Sequence, residues 1–240
     1  MKTIHINCDL GEELYNEDLL MPFISACNIA CGGHAGNKEI IENTIDLAIQ
    51  HQVQIGAHPS FPDRENFGRN LLQLDDQELL DSLVDQISIV LEIANKKNTE
   101  LHHLKAHGAL YNLAAKDQRT AEIVIEAMKQ TAPNAVIFVP PKSIIAELAL
   151  QEGFTISFEV FCDRNYNDDY SLVNRKEVNA VFYDPVDVLQ HVKRLHAGEL
   201  LTRNGIILPI QSDTFCVHGD TDNAVAILEM LNANFKVEKL

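Results

Sequence analysis

Short apolar runs of the kind that form β-strands alternate along the chain with longer stretches of helical periodicity. The predicted strands are Thr3–Cys8, Ala26–Ala30, Gln54–Ala57, His102–Lys105, Val136–Val139, Thr155–Phe161 and Phe215–Val217, with Ile206–Ile210 as an extra candidate. Alternating β and α elements predict a parallel sheet whose crossovers are right-handed. About seven such units in a chain of this length favour an irregular (β/α) barrel over an open doubly wound sheet.

Three of the intervening stretches carry clear helix signals. The apolar residues of the segment Leu79–Ala94 fall on one helical face. The segment Asp184–Gly198 has a proline near its start and a glycine at its end, and Ser143–Gly153 is bracketed by a capping serine and a glycine. No repeat, low-complexity tract or flexible linker divides the 240 residues, so we expect a single (β/α) barrel domain over residues 1–240.

Composition and charge narrow the class of protein. The formal net charge is −16, which disfavours nucleic acid and anionic membrane as partners because both require a basic surface. No apolar run reaches the length of a membrane span, and acidic residues interrupt the N-terminus before a signal peptide could form. We therefore expect a cytoplasmic protein. The five cysteines are expected to be small buried residues in a reducing compartment, although Cys27 and Cys31 could instead form a metal pair.

Ionisable residues gather where the predicted strands end, and in barrels this end carries the active site. The residues at these positions include Asp9, Glu12, His34, His58, Lys105, His107, Glu159, Asp163, Arg164, His218 and Asp220. Each has a structural explanation when taken alone, such as a helix cap for an aspartate or a hydrogen-bonded loop residue for a histidine. Their convergence on one end of the sheet predicts a functional cleft there.

Missing motifs restrict the chemistry of that cleft. The sequence has no G-x-x-x-x-G-K-[ST] nucleotide loop, no H-E-x-x-H motif and no G-x-S-x-G nucleophile elbow, and its GGHAG run is not a dinucleotide fingerprint. The carboxylate, imidazole and lysine groups that remain suit proton transfer with stabilisation of an oxyanion, or metal-assisted hydrolysis.

Several unusual strings occur in series, and together they resemble the LamB/YcsF family over nearly the whole chain. They read NCDLGE, NIACGGHAG, GAHPSFPD with a following FGR, HGALYN, EVFCDRNY and CVHGD. Three positions depart from the usual family pattern: Ala106 replaces a proline, Cys162 replaces an alanine, and Tyr170 stands where a glycine is common. None of these departures removes an ionisable group, so they bear on loop shape rather than on chemistry.

The resemblance implies a seven-stranded (β/α) barrel similar to that of polysaccharide deacetylases. It also implies the A component of an ATP-dependent prokaryotic 5-oxoprolinase, which acts with subunits B and C to open 5-oxo-L-proline to L-glutamate, with ATP as co-substrate. Family positions can be carried over where the letters agree, namely at Asp9, Asn28, His34, His58, Arg69, His107, Tyr111, Glu159, Asp163, Arg164, His218 and Asp220.

Within that implied activity, the catalytic candidates are Asp9, His58, Lys105, His107 and Glu159. An aspartate or histidine of this set would be the base for water, the lysine would offset the developing oxyanion, and the glutamate would bind the ring N–H or support a histidine. The substrate-binding candidates are Asn28, His34, Arg69, Tyr111, Arg164, His218 and Asp220, of which the arginines are candidate forks for a carboxylate or phosphate.

Two other functions stay open from the sequence. One is a stand-alone, metal-dependent amide or ester hydrolase of the deacetylase kind, in which Asp9, His34 and His58 would be the metal ligands. The other is a non-catalytic component that presents 5-oxoproline to subunits B and C. Neither ATP binding by this chain nor a bound divalent metal can be assigned from the sequence.

The pair Lys105 and His107 gives the sharpest local expectation. Their spacing in an extended chain predicts side chains on the same face, where the lysine charge would lower the pKa of His107. Gly108 would then allow close approach of the backbone to a ligand. We expect one cleft at the C-terminal ends of the strands to be lined by Asp9, His34, His58, Lys105, His107, Glu159 and His218, with His107 at its centre.

Overall fold

Residues 2–239 are described by the computed structural model, and at their centre seven parallel strands close into a barrel. The strands in chain order are β1 Thr3–Ile4, β2 Ile6–Leu10, β3 Ala26–Ala30, β4 Gln54–His58, β5 His103–Leu104, β6 Val136–Val139, β7 Ile156–Phe161, β8 Glu199–Leu201, β9 Ile207–Pro209, β10 Thr214–His218 and β11 Lys236–Val237. The barrel order is β10-β2-β3-β4-β5-β6-β7, with β7 pairing back to β10. The prediction of an irregular seven-stranded (β/α) barrel is confirmed.

Helices surround the barrel and cover its apolar outer surface. They are α1 Glu17–Leu20, α2 Lys38–His51, α3 Asp76–Lys96, α4 Gly108–Ala114, α5 Gln118–Thr131, α6 Ile144–Gln151, α7 Pro185–His196 and α8 Ala224–Asn234, with a 3-10 turn Met21–Phe23 after α1. The helices predicted from periodicity and capping residues are α3, α6 and α7, and α3 begins with a reciprocal capping box between Asp75 and Glu78. None of the helices within residues 2–239 combines the length and the apolar character that a bilayer crossing needs.

The predicted strand Thr3–Cys8 is two strands with different partners. β1 pairs with β11, whereas β2 enters the barrel between β10 and β3. His5 separates them, and its imidazole is 2.9 Å from Thr214 Oγ1 and 2.8 Å from Gln54 Oε1 at the N-terminal end of the barrel. The single-strand prediction is wrong because alternation of apolar residues does not reveal a change of pairing partner. β2 also continues to Leu10, so Asp9 lies inside a barrel strand rather than in the loop after it.

The extra candidate Ile206–Ile210 is a strand, but it lies outside the barrel. Its central part, β9, pairs antiparallel with β8 in a separate two-stranded sheet. The Tyr170 hydroxyl donates a hydrogen bond to the carbonyl of Pro209 at 3.1 Å. Tyr170 has a φ of +67°, in the left-handed region that favours glycine, so the tyrosine holds a backbone conformation that a glycine would adopt more easily.

Polar side chains occupy the inside of the barrel below the predicted site. Asn28 donates to Asn7 Oδ1 and to Asp9 Oδ1, both at 2.7 Å, and its own Oδ1 is 2.8 Å from His103 Nε2. Because β4 separates β3 from β5, Asn28 on β3 reaches His103 on β5 only across the interior. Gly56 on β4 leaves the room for that contact, since a Cβ there would lie 2.1 Å from His103 Nε2. A hydrogen-bonded polar column therefore supports the C-terminal end of the barrel.

Candidate active site

A buried lysine joins two carboxylates inside the barrel. Lys105 Nζ lies 2.7 Å from Asp9 Oδ1 and 3.0 Å from Glu159 Oε1. Within the described part of the chain neither oxygen of Glu159 makes a hydrogen bond, so its contact with Lys105 is ionic. Burial alone would lower the pKa of Lys105, but the carboxylates of Asp9 and Glu159 outweigh it and raise that pKa well above its usual range. Burial alone would raise the pKa of Asp9, yet the charges of His58 and Lys105 hold it well below its usual range.

Next to this ion pair, one carboxylate and three imidazoles form a compact buried cluster. Glu12 follows β2 after a turn at Gly11, and its Oε1 lies 3.1 Å from His34 Nε2, 3.4 Å from His107 Nδ1 and 4.0 Å from His58 Nε2. The His34 and His107 rings stack in parallel with centroids 3.7 Å apart. We call these four residues, Glu12, His34, His58 and His107, the imidazole–carboxylate cluster.

The cluster contacts the ion pair through His58, whose Nε2 is 3.4 Å from Asp9 Oδ2. Burial, with the charges of Asp9 and Asp220, raises the pKa of the Glu12 carboxyl well above its usual range. Burial and the neighbouring imidazoles lower the pKa values of His34 and His107 well below the usual range. The expected direction for His107 is therefore found, but its causes are burial and the other histidines rather than Lys105, whose ammonium group points at carboxylates inside the barrel.

A loop with unusual backbone geometry covers the cluster. Phe67 has a φ of +55°, and its ring packs edge-on against the rings of His34 and His107. Gly68 has a φ of +62°, and a Cβ there would lie 3.0 Å from His34 Cβ. At Gly108 a Cβ would lie 2.7 Å from the Gly68 carbonyl oxygen, so the close approach predicted for Gly108 is to this loop rather than to a ligand. This loop therefore covers the imidazole side of the predicted cleft.

Two arginines and an aspartate form the exposed rim of the site. Arg69 Nη2 lies 2.6 Å and Arg175 Nη1 lies 3.3 Å from the same oxygen, Asp220 Oδ2. The Arg69 guanidinium also lies over the Phe67 ring, 4.8 Å from its centroid. The side chains of Arg69 and Arg175 are 44% and 29% exposed, so the rim is the part of the site that solvent reaches.

His218 occupies the opposite side of Asp9 and is held by a buried aspartate. Its Nδ1 is 2.9 Å from Asp163 Oδ1, and the Thr221 hydroxyl donates to Asp163 Oδ2 at 2.5 Å. Burial would raise the pKa of Asp163, but the charge and hydrogen bond of His218 and the bond from Thr221 lower it to about 2. The donor atoms of Asp9, Cys216 and His218 lie within 4.8 Å of one another.

Two of the predicted substrate-binding residues, Arg164 and Tyr111, are buried. Buried Arg164 donates to the carbonyl oxygens of Val173 at 2.6 Å and Ala180 at 3.3 Å, and so it holds a loop instead of presenting a free fork. The Tyr111 hydroxyl is buried without a hydrogen-bond partner in residues 2–239, and burial followed by the charge of Glu159 raises its pKa. Arg164 is thus engaged by the loop, whereas the Tyr111 hydroxyl, unpartnered within the described chain, stays a substrate-binding candidate.

The other predicted positions converge as expected at the C-terminal end of the barrel. These are Asp9, Asn28, His34, Arg69, His58, Lys105, His107, Glu159, His218 and Asp220. The predicted metal set of Asp9, His34 and His58 does not form one compact donor group, because Glu12 takes the place next to the imidazoles. Cys27 and Cys31 form no metal pair within residues 2–239, since their thiols contact backbone groups.

Two residues of the site were not among the catalytic, binding or metal candidates. Glu12 belongs to the NCDLGE string and was one of the ionisable residues at the strand ends, but it was assigned no role. Arg175 lies in a loop with no recognisable motif, and nothing local in the sequence indicates that it meets Arg69 at Asp220.

The closed parallel barrel and its buried carboxylates, lysine and imidazoles define a (β/α)-barrel protein with an acid–base type of site at the C-terminal ends of its strands. The chain belongs to the LamB/YcsF family, whose family model matches residues 4–240.

Relatives with curated names cover nearly the whole chain. A protein from Shouchella clausii, named as the A component of 5-oxoprolinase, is 38% identical over 98% of this chain and 96% of its own length. A protein of the same name from Vibrio cholerae is 35% identical over 97% of both chains.

One solved structure shows the same fold over its whole length. The crystal structure of a lactam utilization protein from Thermus thermophilus covers 100% of both chains, with a TM-score of 0.91 and 30% identity. A more distant likeness is to a T48 deacetylase structure, which covers 99% of this chain and 87% of its own, with a TM-score of 0.44 and 11% identity.

Proposed function

We propose that this chain is the A component of an ATP-dependent 5-oxoprolinase, which opens 5-oxo-L-proline to L-glutamate together with subunits B and C. The observation that carries the proposal is the 38% identity, over 98% of this chain, to a protein named as that component of 5-oxoprolinase. The 30% identical lactam utilization protein, which shares the whole fold, supports the same class of substrate.

The chemistry of a five-membered lactam explains why ATP would be needed. The ring amide is stable to water, so the proposed route first transfers a phosphoryl group from ATP to the lactam oxygen. Water then adds to the activated carbon, and the carbon–nitrogen bond breaks as the ring nitrogen takes a proton, which leaves a γ-glutamyl phosphate. A second water hydrolyses this acyl phosphate to glutamate and phosphate. The protein must therefore bind a carboxylate, accept a proton from water and stabilise negative charge.

The residues described above can supply these functions. Asp9 is the group proposed to accept the proton from water, since Lys105 keeps it ionised and His58 contacts its other oxygen. Glu159 has oxygens that make no hydrogen bond within residues 2–239, so it is proposed to accept the ring N–H. Burial of all these groups makes their electrostatic effect on a bound substrate large.

The rim is proposed to bind the substrate carboxylate. Arg69 and Arg175 converge on one oxygen of Asp220, so the two guanidinium groups can share a single carboxylate. A substrate carboxylate that replaced Asp220 would meet both of them. Arg69 thus keeps the carboxylate-binding role predicted from the sequence, and Arg175 is proposed for the role that the sequence suggested for Arg164.

Reconstitution tests the proposed function. The purified chain, subunits B and C, ATP and 5-oxo-L-proline are combined, and glutamate is measured. We expect glutamate only when all three subunits and ATP are present. In the same assay His107→Ala should lose about 10²-fold in rate, because His107 holds His58 in place beside Asp9. His51→Ala, which changes a histidine in the last turn of α2, should keep the wild-type rate.

A second candidate, a stand-alone amide or ester hydrolase, is favoured by the imidazole–carboxylate cluster. The same assay separates the two functions. Robust glutamate formation by the isolated chain without ATP would contradict the ATP-dependent, partner-dependent function and support the stand-alone hydrolase.

A further inference from the structure

His58 and His107 face each other in an arrangement that two neutral imidazoles alone do not explain. His58 Nδ1 is 2.7 Å from the carbonyl oxygen of Lys105, and His107 Nε2 is 2.9 Å from the carbonyl oxygen of Phe67. A carbonyl oxygen only accepts hydrogen bonds, so both of these outer nitrogens carry hydrogen. A neutral imidazole has a single N–H, which leaves lone pairs on the two inner nitrogens.

Those inner nitrogens, His58 Nε2 and His107 Nδ1, are only 2.9 Å apart. Two lone pairs that point at each other over this distance repel in a buried site, where water does not separate them. A cation between the two nitrogens, either a proton or a metal ion, removes the repulsion. The surrounding donor atoms decide between these two possibilities.

Four donor atoms surround the same point. Glu12 Oε1 is 3.4 Å from His107 Nδ1 and 3.1 Å from His34 Nε2, and the donor atoms of all four cluster residues lie within 4.8 Å of one another. In tetrahedral zinc sites with bonds of about 2.0–2.1 Å, neighbouring donors are about 3.3 Å apart. A proton can bridge only two of the four atoms, whereas a metal ion uses all of them.

We propose that the imidazole–carboxylate cluster of Glu12, His34, His58 and His107 binds one divalent transition-metal ion of the zinc class. Three imidazole nitrogens and one carboxylate oxygen are donors that zinc and cobalt accept, whereas magnesium and calcium prefer oxygen ligands. The ligand set differs from the one predicted from sequence, because Glu12 supplies the carboxylate in place of Asp9.

The contacts around the cluster support metal binding. The hydrogen bonds from the outer nitrogens of His58 and His107 to backbone carbonyls are those that orient metal-bound histidines in proteins. His34 Nδ1 makes no hydrogen bond within residues 2–239, and its ring is oriented instead by the stack on His107 and the edge contact with Phe67. The inference holds whether or not the chain opens 5-oxoproline.

A cobalt titration of the isolated full-length chain tests the site. The protein is stripped with a chelator, dialysed and titrated with Co²⁺ while the visible absorption is recorded, and bound Zn²⁺ is measured separately by mass spectrometry after desalting. We expect one ion per chain and the intense visible bands of tetrahedral cobalt. Glu12→Gln and His107→Ala should each weaken binding at least tenfold, whereas the control His51→Ala should bind as the wild type does.

Two results would overturn the proposal. One is a stripped wild-type chain that gives no tetrahedral cobalt bands. The other is binding by folded Glu12→Gln as tight as wild type, which would place the ion on other histidines. Glu12→Gln preserves the size and shape of the side chain, so it decides the question if His107→Ala does not fold. The titration contains no ATP and neither partner protein, so its outcome is independent of the reconstitution assay.

Discussion

Lys105 carries its charge at a position where burial alone would favour the neutral amine. The negative charges of Asp9 and Glu159 stabilise the ammonium group, and its positive charge stabilises both carboxylates. The charged form of each side chain is therefore stable only in the presence of the others. Breaking a buried ion pair by removing one partner leaves an unpaired charge in a medium that solvates it poorly. The site residues at this depth therefore contribute to the stability of the fold as well as to its chemistry.

Lys105→Met tests this dependence. It should lower the free energy of unfolding by about 3–5 kcal/mol, because the Asp9 and Glu159 carboxyls lose their cation. Denaturant unfolding followed by circular dichroism measures the change. Lys97→Met is the matched control, since Lys97 pairs with Asp46 on the surface, and it should cost less than about 1 kcal/mol. Equal stability of the two variants would contradict compensation by Lys105.

Arg175 provides a second test at the level of single residues. If it shares the substrate carboxylate with Arg69, Arg175→Gln should raise KM for 5-oxo-L-proline about tenfold in the reconstituted assay, since a hydrogen bond to a charged group is worth about 1.5–3 kcal/mol. The value of kcat should change little because the reacting atoms are elsewhere. Its exposed neighbour provides the control variant Lys176→Gln, which should keep the wild-type KM. An unchanged KM for Arg175→Gln would remove Arg175 from the substrate site.

At the level of elements, helix α3 fixes the loop that follows β4. Buried Gln86 on α3 accepts a hydrogen bond from the Ser60 N–H at 3.0 Å and donates one to the Ser60 carbonyl at 2.9 Å. Gly33 next to it has no room for a side chain, because a Cβ would lie 2.3 Å from Gln86 Oε1. Gln86 thus holds the loop that follows His58 and packs against the loop that precedes His34.

Gln86→Leu should lower the free energy of unfolding by about 2–4 kcal/mol, because both backbone groups of Ser60 would then be buried without partners. Urea unfolding measures the loss. Gln77→Leu on the exposed face of the same helix is the control and should change stability by no more than about 0.5 kcal/mol. A Gln86→Leu protein as stable as the control would show that water replaces the lost hydrogen bonds.

For the whole molecule, buried neutral histidines govern how stability depends on pH. Burial lowers the pKa of His191 to about 4 and lowers those of His34, His103 and His107 as well. Below about pH 6.5 the unfolded chain takes up protons at these positions that the folded chain cannot bind, so the folded state loses stability as the pH falls. The raised pKa of Glu12 acts in the opposite direction.

His191→Leu isolates one of these contributions. Between about pH 6.5 and 4 the wild-type free energy of unfolding should fall more steeply than that of the variant, with a difference in slope of up to about 1.4 kcal/mol per pH unit. Denaturant unfolding at a series of pH values measures both slopes. Parallel curves would mean that His191 becomes protonated in the folded protein near its ordinary pKa.

The sequence by itself determined the architecture and the end of the barrel at which the site forms. Hydrophobic periodicity shows which segments are strands and which are helices, and capping residues such as Asp184 and Ser143 show where helices begin. Both signals lie within short stretches of the sequence. Parallel strands bring their C-terminal ends to one face, so residues such as His58 and His218, at the ends of their strands, had to converge.

Only the tertiary structure decided which atoms meet. The change of strand partner at His5, the place of Glu12 among three imidazoles and the pairing of Arg175 with Asp220 all join residues that are distant in sequence or separated by irregular loops. Periodicity carries no information about such contacts, because they depend on how the barrel closes and how the loops fold over its end. For the same reason, the lysine expected beside His107 points into the barrel, where two carboxylates balance its charge.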